Sequence, residues 1–179
     1  DSVSVEIVEF SSGKDVNTAL AAGSIDFGLE GSCPASLAIA QDLGVELIWI
    51  HEVLGDVESL VATGTSGINT VADLKGKKVA VPFASTAHFS LLKAMENAGL
   101  SASDVTVLDM QPDKIYASWN SGDIDAAYIW EPTLSQLSNK KTVITSGELA
   151  KAGYMTSNVE VVRTKFAEAH PDIVAAYVK

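Results

Sequence analysis

An α/β fold in two similar lobes is what this 179-residue sequence predicts, on three observations. Apolar segments of strand length alternate with helical segments of about 8 to 15 residues along the whole chain, which is the pattern of α/β proteins with largely parallel sheets. Val45 to Ile50 reads as a strong apolar strand, and Val79 to Val81 as a buried one bounded by the turn Lys75-Gly76-Lys77-Lys78. One string of elements also occurs twice: helix, Gly23-Ser24-Ile25-Asp26, strand, turn, Pro34; and, 99 positions on, helix, Gly122-Asp123-Ile124-Asp125, strand, turn, Pro132. Two lobes imply a cleft, and ligands of such sheets sit beyond the carboxyl ends of the strands.

Taken in order, Val3, Val5 and Ile7 alternate with Ser4 and Glu6, predicting a strand that ends near Phe10. Ser11-Ser12-Gly13 reads as a turn, Asp15 to Ala22 as a helix stopped by Gly23, and Ile25 to Leu29 as a strand. Gly31-Ser32-Cys33-Pro34 turns the chain into a helix reaching about Asp42, with Pro34 suited to its first position. Strands follow at Val45 to Ile50 and Ser59 to Ala62, a loop at Thr63 to Thr70 and a helical turn at Val71 to Leu74. After Val79 to Val81, helical spacing of Phe89, Leu92 and Met95 runs up to Gly99. The remainder alternates: strand Val105 to Leu108, helix Asp113 to Trp119, strand Ala126 to Trp130, helix Pro132 to Leu137, strands Thr142 to Thr145 and Val159 to Val162, then a helix interrupted before Pro171.

The composition, 47% hydrophobic and 20% charged, is that of a globular protein. A net charge of −11 and a pI near 4.5 argue against nucleic acid or an anionic membrane as partner, because no basic run offsets phosphate repulsion. No apolar run approaches the length of a membrane span. Cys33, the single cysteine, excludes an internal disulfide and a thiolate zinc cluster. His51, His88 and His170 lie too far apart for a helical metal pair, so neither a metal nor a cofactor is expected. Asp1 in place of Met reads as the product of a cut.

The stretch Val79-Ala80-Val81-Pro82-Phe83-Ala84-Ser85-Thr86-Ala87-His88 reads as an anion cradle. A strand feeding a helix leaves unpaired N–H groups and the positive end of the helix dipole facing the space beyond the sheet. Phosphate, sulfate, sulfonate or carboxylate suits that place. The rival reading is that Ser85 or Thr86 only caps the helix. With Ser32 to Ala35 in one lobe, and Ser85 to His88 and Trp130 to Thr133 in the other, three helix N-termini are expected to converge on one cavity.

Gly31-Ser32-Cys33-Pro34-Ala35, Ala80 to Leu92 and Gly122-Asp123-Ile124-Asp125-Ala126-Ala127-Tyr128-Ile129-Trp130-Glu131-Pro132 resemble the substrate-binding proteins of ABC importers for taurine and other aliphatic sulfonates. The fold so implied is the type 2 periplasmic-binding-protein fold, with residues 1–60 and 159–179 as lobe one and residues 61–158 as lobe two. Relative to a complete member, the first strand and helix of lobe one are missing ahead of Asp1, as are helices after Lys179. Exposed sheet edge and apolar surface are therefore expected, with dimerisation or strand exchange as the outcome. The resemblance implies a periplasmic or extracytoplasmic location, free or anchored to a membrane through a segment ahead of Asp1, and a permease as partner.

Residue by residue, the resemblance gives sulfonate contacts to Ser32, Ser85, Thr86 and nearby amides, with His88 either a contact or cleft wall. Cys33 belongs to the same turn and reads otherwise as a small packing residue. Trp130 at the cleft mouth suits an aminoethyl chain or its ammonium. Glu131, Asp56 and Glu58 are ammonium acceptors by charge, and Glu58 fits best through the pattern Leu-Gly-x-x-Glu at Leu54 to Glu58. Three positions depart from the pattern. Glu30 puts a carboxylate beside the first anion turn, where it either repels a sulfonate or helps hold a cation. Asn158 and Glu160 stand where taurine binders tend to have Asp and an aromatic.

The function so implied is a non-catalytic receptor that closes on a small sulfonate, taurine first, and delivers it to an ABC permease. A longer alkanesulfonate, a sulfate ester or a pyrimidine remains as alternative ligand. The enzymatic rival is a thiamine-pyrimidine synthase, but these carry a cysteine-rich segment where this chain has Cys33 alone. A Cys33–His88 nucleophile pair lacks an evident orienting third group. A transcription regulator would need a DNA-binding domain, which these residues do not supply.

Overall fold

The computed structural model describes residues 3–179. Helices α1 (Gly13–Ala22) and α2 (Ser32–Ala40) alternate with strands β1 (Phe27–Gly31) and β2 (Val45–Val53), and β3 (Glu58–Thr63) follows. A 3-10 turn at Val71–Leu74 leads into β4 (Lys78–Val81), α3 (Thr86–Asn97), β5 (Thr106–Asp109), α4 (Pro112–Ser121) and β6 (Ala126–Trp130). The chain ends with α5 (Thr133–Gln136), β7 (Lys140–Thr145), α6 (Ser146–Lys151), β8 (Ser157–Arg163), α7 (Thr164–Ala169) and α8 (Pro171–Tyr177). The strands form a three-stranded sheet, β1-β8-β2, and a five-stranded sheet, β5-β4-β6-β3-β7.

The repeat seen in the sequence is a repeat of topology. In one sheet β1 and β2, joined by α2, flank β8 and both oppose it. In the other, β6 and β7, joined by α5, flank β3 and both oppose it. Gly23 and Gly122 close the preceding helices at φ 72° and 79°, a left-handed conformation that costs glycine no Cβ clash. In each copy the next residue's amide reaches back into the helix, Ser24 to the Ala19 carbonyl and Asp123 to that of Ser118. All strands of a sheet thus run one way except the strand arriving from the other sheet. β4 pairs in parallel with β5 and β6, through the helical crossovers that parallel pairing requires.

The larger sheet is covered on both faces. Leu60, Val79, Val81, Leu91, Met95 and Tyr128 pack on the side of α3 and α6. Val61, Ala80, Ile115, Trp119 and Ile129 pack on the side of α4 and α5. The smaller sheet has one closed face, where Val16, Leu20, Ala35, Ala38, Val159 and Val161 meet.

Two expectations change, at residues 3–10 and at α6, while β2 forms where it is expected. Residues 3–10 pair with no described strand, and Val3, Val5 and Ile7 stand exposed. Alternation fixes which face a strand would bury, but it does not supply a ladder. β2 lies at a sheet edge with Leu47 and Ile50 largely exposed, as the expectation of exposed edge and apolar surface has it, its only described strand partner being β8. α6 was not expected, although Thr145 and Glu148 form a reciprocal capping box at its start.

Candidate functional site

A cavity of about 400 Å³ opens between the two sheets. Its wall takes Ser11 to Gly13 from the start of α1, Glu30 and Gly31 from the end of β1, Pro34 from α2 and Glu58 from β3. Ser85 and Thr86 at the start of α3, Trp130 at the end of β6 with Glu131 after it, and Glu52 and Asn158 complete the polar part. Of the site residues expected from the sequence, Glu58, Ser85, Thr86, Trp130 and Glu131 are in this wall. Ser32, Cys33 and His88 are not.

Three helix starts border the cavity, as expected, but they belong to α1, α2 and α3. α5 is one turn long, and Glu131 already occupies its start, its carboxylate accepting from the Ser135 amide at 2.9 Å and hydroxyl at 2.7 Å. α1 takes its place. The sequence marks Ser11-Ser12-Gly13 as a turn, and the serine pair ahead of the helix is the signal for this start.

At α3, Ser85 is the N-cap: its Oγ accepts from the His88 amide at 3.1 Å and its hydroxyl donates to the Pro82 carbonyl at 2.6 Å. The side chain is therefore engaged in holding the turn. The amides of Thr86 and Ala87, in the helix's first turn, have no intrahelical acceptor and belong to the end of the dipole that favours negative charge. Ala84 just before them sits at φ 61°, a left-handed conformation that bends the strand end into the helix.

Thr86 is held from below. Its hydroxyl donates to Glu58 Oε2 at 2.5 Å, and the Ser146 hydroxyl donates to Oε1 at 2.7 Å. Glu58 is almost wholly buried, and burial pushes its carboxyl above the usual range, with the two hydroxyls pulling back. Tyr128 adds its hydroxyl to Ser146 at 3.0 Å, so the cavity floor is a closed polar network. Glu58 thus spends both oxygens on the protein, where the sequence suggested an ammonium contact.

Gly31 makes the two sheets' approach possible: a Cβ there would lie 2.7 Å from Thr86 Cγ2. One residue earlier, Glu30 is buried, and neither of its carboxyl oxygens has a hydrogen-bond partner. Burial pushes its pKa up to about 8.

The remaining expected residues have structural duties. Ser32 Oγ accepts from the Ser157 amide at 3.2 Å, tying α2 to β8. Cys33 is half-buried, and burial, with the Glu58 charge behind it, pushes its thiol up to about 11. A thiol so held is no nucleophile at neutral pH. His88 stacks on Phe83 with ring centroids 4.3 Å apart, and its Nδ1 accepts from the Ala84 amide at 3.4 Å. Burial lowers its pKa, partly offset by Asp109, so it brings no positive charge at neutral pH. Trp130 bridges the cores on both faces of the larger sheet while lining the cavity.

The NMT1/THI5-like family model matches residues 1–179. The taurine-binding periplasmic protein of Escherichia coli (strain K12) is 40% identical over 172 residues, covering 96% of this chain and 53% of that protein. A putative aliphatic sulfonates-binding protein of Bacillus subtilis (strain 168) is 34% identical over 181 residues, covering 100% and 54%. Among solved structures, the alkanesulfonate-binding protein SsuA from Xanthomonas axonopodis pv. citri, bound to MOPS, superposes with a TM-score of 0.81 at 28% identity, over 95% of this chain and 58% of that one. The chain spans about half the length of the curated relatives it matches.

Proposed function

This chain belongs to the NMT1/THI5-like family, and on that footing we propose that it is the ligand-binding part of an extracytoplasmic receptor for a small sulfonate, taurine first. The observation that carries the reading is the start of α3: Ser85 and Thr86 line a cavity between two sheets, and the amides of that first turn have no intrahelical acceptor. A sulfonate spreads one negative charge over three oxygens, and each needs a donor rather than a full countercharge. Helix N-termini supply such donors. The relatives' names and the MOPS, itself a sulfonate, held by a structural neighbour support the choice of anion.

The lobes are residues 1–60 with 159–179, and residues 61–158, save that Glu58–Leu60 already pair in the larger sheet and Ser157–Asn158 in the smaller, and the receptor works by their closure on the ligand. Delivery is to an ABC permease, and the location is periplasmic. The protein is a receptor rather than an enzyme. The raised Cys33 thiol and the structural engagement of His88 favour this over covalent chemistry.

Thermal unfolding with and without ligand tests the reading. A ligand at 100 times its Kd stabilises the native state by about 2.7 kcal/mol, so saturating taurine raises Tm by several degrees. Sulfate and the carboxylate analogue of taurine raise it less. If no sulfonate shifts Tm, the receptor reading fails.

A further inference from the structure

The cavity wall contains four glutamates, Glu30, Glu52, Glu58 and Glu131, and none of its residues is Lys, Arg or His. Three of the four are satisfied by the protein. Glu52 accepts from the Asn158 side-chain amide at 2.9 Å, Glu58 from Thr86 and Ser146, and Glu131 from Ser135. Glu30 differs from them: it is only 5% exposed, and both of its oxygens lack a partner. Leaving a buried carboxyl unsatisfied is costly, and such a group inside a ligand cavity is a group kept for the ligand.

The geometry says which part of the ligand. Glu30 precedes Gly31, whose Cα side abuts Thr86, and Glu30 Oε2 would lie 3.1 Å from a Cβ placed on Gly13. Glu30 and the starts of α1 and α3 thus line one cavity, within which a single small molecule can meet both. A ligand carrying only negative charge holds Glu30 in its protonated form and leaves it without a donor for its acceptor oxygens. A ligand that also carries an ammonium group satisfies Glu30 at one end and the α3 amides at the other. We propose that Glu30 is the ammonium acceptor of this site, and that it selects aminoalkanesulfonates over plain alkanesulfonates. The proposal rests on the sulfonate-receptor reading and adds the half of the ligand which that reading leaves open.

Binding is then linked to a proton. Burial holds Glu30 largely protonated near neutral pH in the ligand-free protein, and an ammonium beside it draws the proton off. The other titratable groups around it are Glu52, Glu58 and Glu131 in the wall, Cys33 at the start of α2, and exposed Lys14 and half-buried Asp15 in the first turn of α1. Glu160 on β8 turns away to His51, at 3.0 Å.

Calorimetric titration of the protein and of Glu30→Gln with taurine and with ethanesulfonate tests this. Glu30→Gln weakens taurine at least tenfold and leaves ethanesulfonate unchanged or tighter, and the retained ethanesulfonate binding shows the variant to be folded. Equal loss of both ligands, or loss of neither, overturns the proposal. Should the variant fail to fold, the unaltered protein decides: in two buffers of different ionisation enthalpy at pH 7, taurine binding releases close to one proton and ethanesulfonate binding releases none. Taurine binding without proton release overturns the proposal while leaving the receptor reading intact. Absence of binding by either sulfonate overturns both.

Discussion

Thr86 and Glu58, 28 residues apart in sequence, meet at 2.5 Å between a helix start and the first residue of β3, with Ser146 closing the other side of the carboxylate. This contact fixes the first turn of α3 on the floor of the cavity. Glu58→Ala would leave two buried hydroxyls without their acceptor and open a void, at a cost of about 3 kcal/mol in urea unfolding. Glu58→Gln keeps one acceptor and costs about 1 kcal/mol. If alanine costs no more than glutamine, the carboxylate is not the organising group.

The Thr86 hydroxyl is directed to Glu58, so in the proposed site the ligand contact falls to the Thr86 amide. Two substitutions separate these roles. Thr86→Val removes the hydroxyl and keeps the amide, and binding stays within about threefold. Thr86→Pro places proline at the first helical position, where α3 tolerates it, and removes the amide. Sulfonate affinity then falls about tenfold or more, the worth of one hydrogen bond to a charged group. Equal affinities for the two variants would return this turn to simple capping.

Much of this organisation was legible in the sequence, and the reasons differ by residue. Gly23 and Gly122 with their Ile-Asp pairs revealed two equivalent units, because helix stops and strand starts are local signals. Ser85 was legible as a cap for the same reason. What escaped was long-range. Nothing near Glu58 announces that Thr86 and Ser146 will take its two oxygens. The strand expected at Val3 to Phe10 failed because pairing needs a neighbour that the pattern cannot supply. Glu30 stands out in the sequence as a misplaced charge, but only the register of β1, with Gly28 and Glu30 both buried, turns it inward.

Gly31→Ala should act through Thr86. The added methyl would meet Thr86 Cγ2 at 2.7 Å, and relieving it means moving a buried side chain that is tied to Glu58 or separating the two sheets. We expect a loss of about 1 to 3 kcal/mol in stability and weaker sulfonate binding, both read from denaturation and titration of the same sample. Unchanged affinity would mean that the sheets do not approach this closely when ligand is bound.

Glu30 makes stability depend on pH with a defined sign. Its pKa is near 8 in the folded protein, against 4.5 for the ordinary side chain. Between those values the unfolded chain has lost the proton that the native state keeps, so stability falls as pH rises from about 4.5 to 8 and levels off above. At about 1.4 kcal/mol per pKa unit, the loss attributable to Glu30 is on the order of a few kcal/mol. Glu30→Gln removes it: the variant gains little over the parent at pH 5 and at least about 2 kcal/mol at pH 8.5, measured by urea unfolding without ligand. A pH-independent difference would show that Glu30 keeps an ordinary pKa.

The central claim is that a sulfonate sits at the start of α3, and a crystal structure with taurine bound tests it most directly. The account predicts sulfonate oxygens within about 3 Å of the Thr86 or Ala87 amide nitrogens, with the other end of the ligand beside Glu30. A sulfonate bound elsewhere, with the start of α3 facing only water, would contradict it.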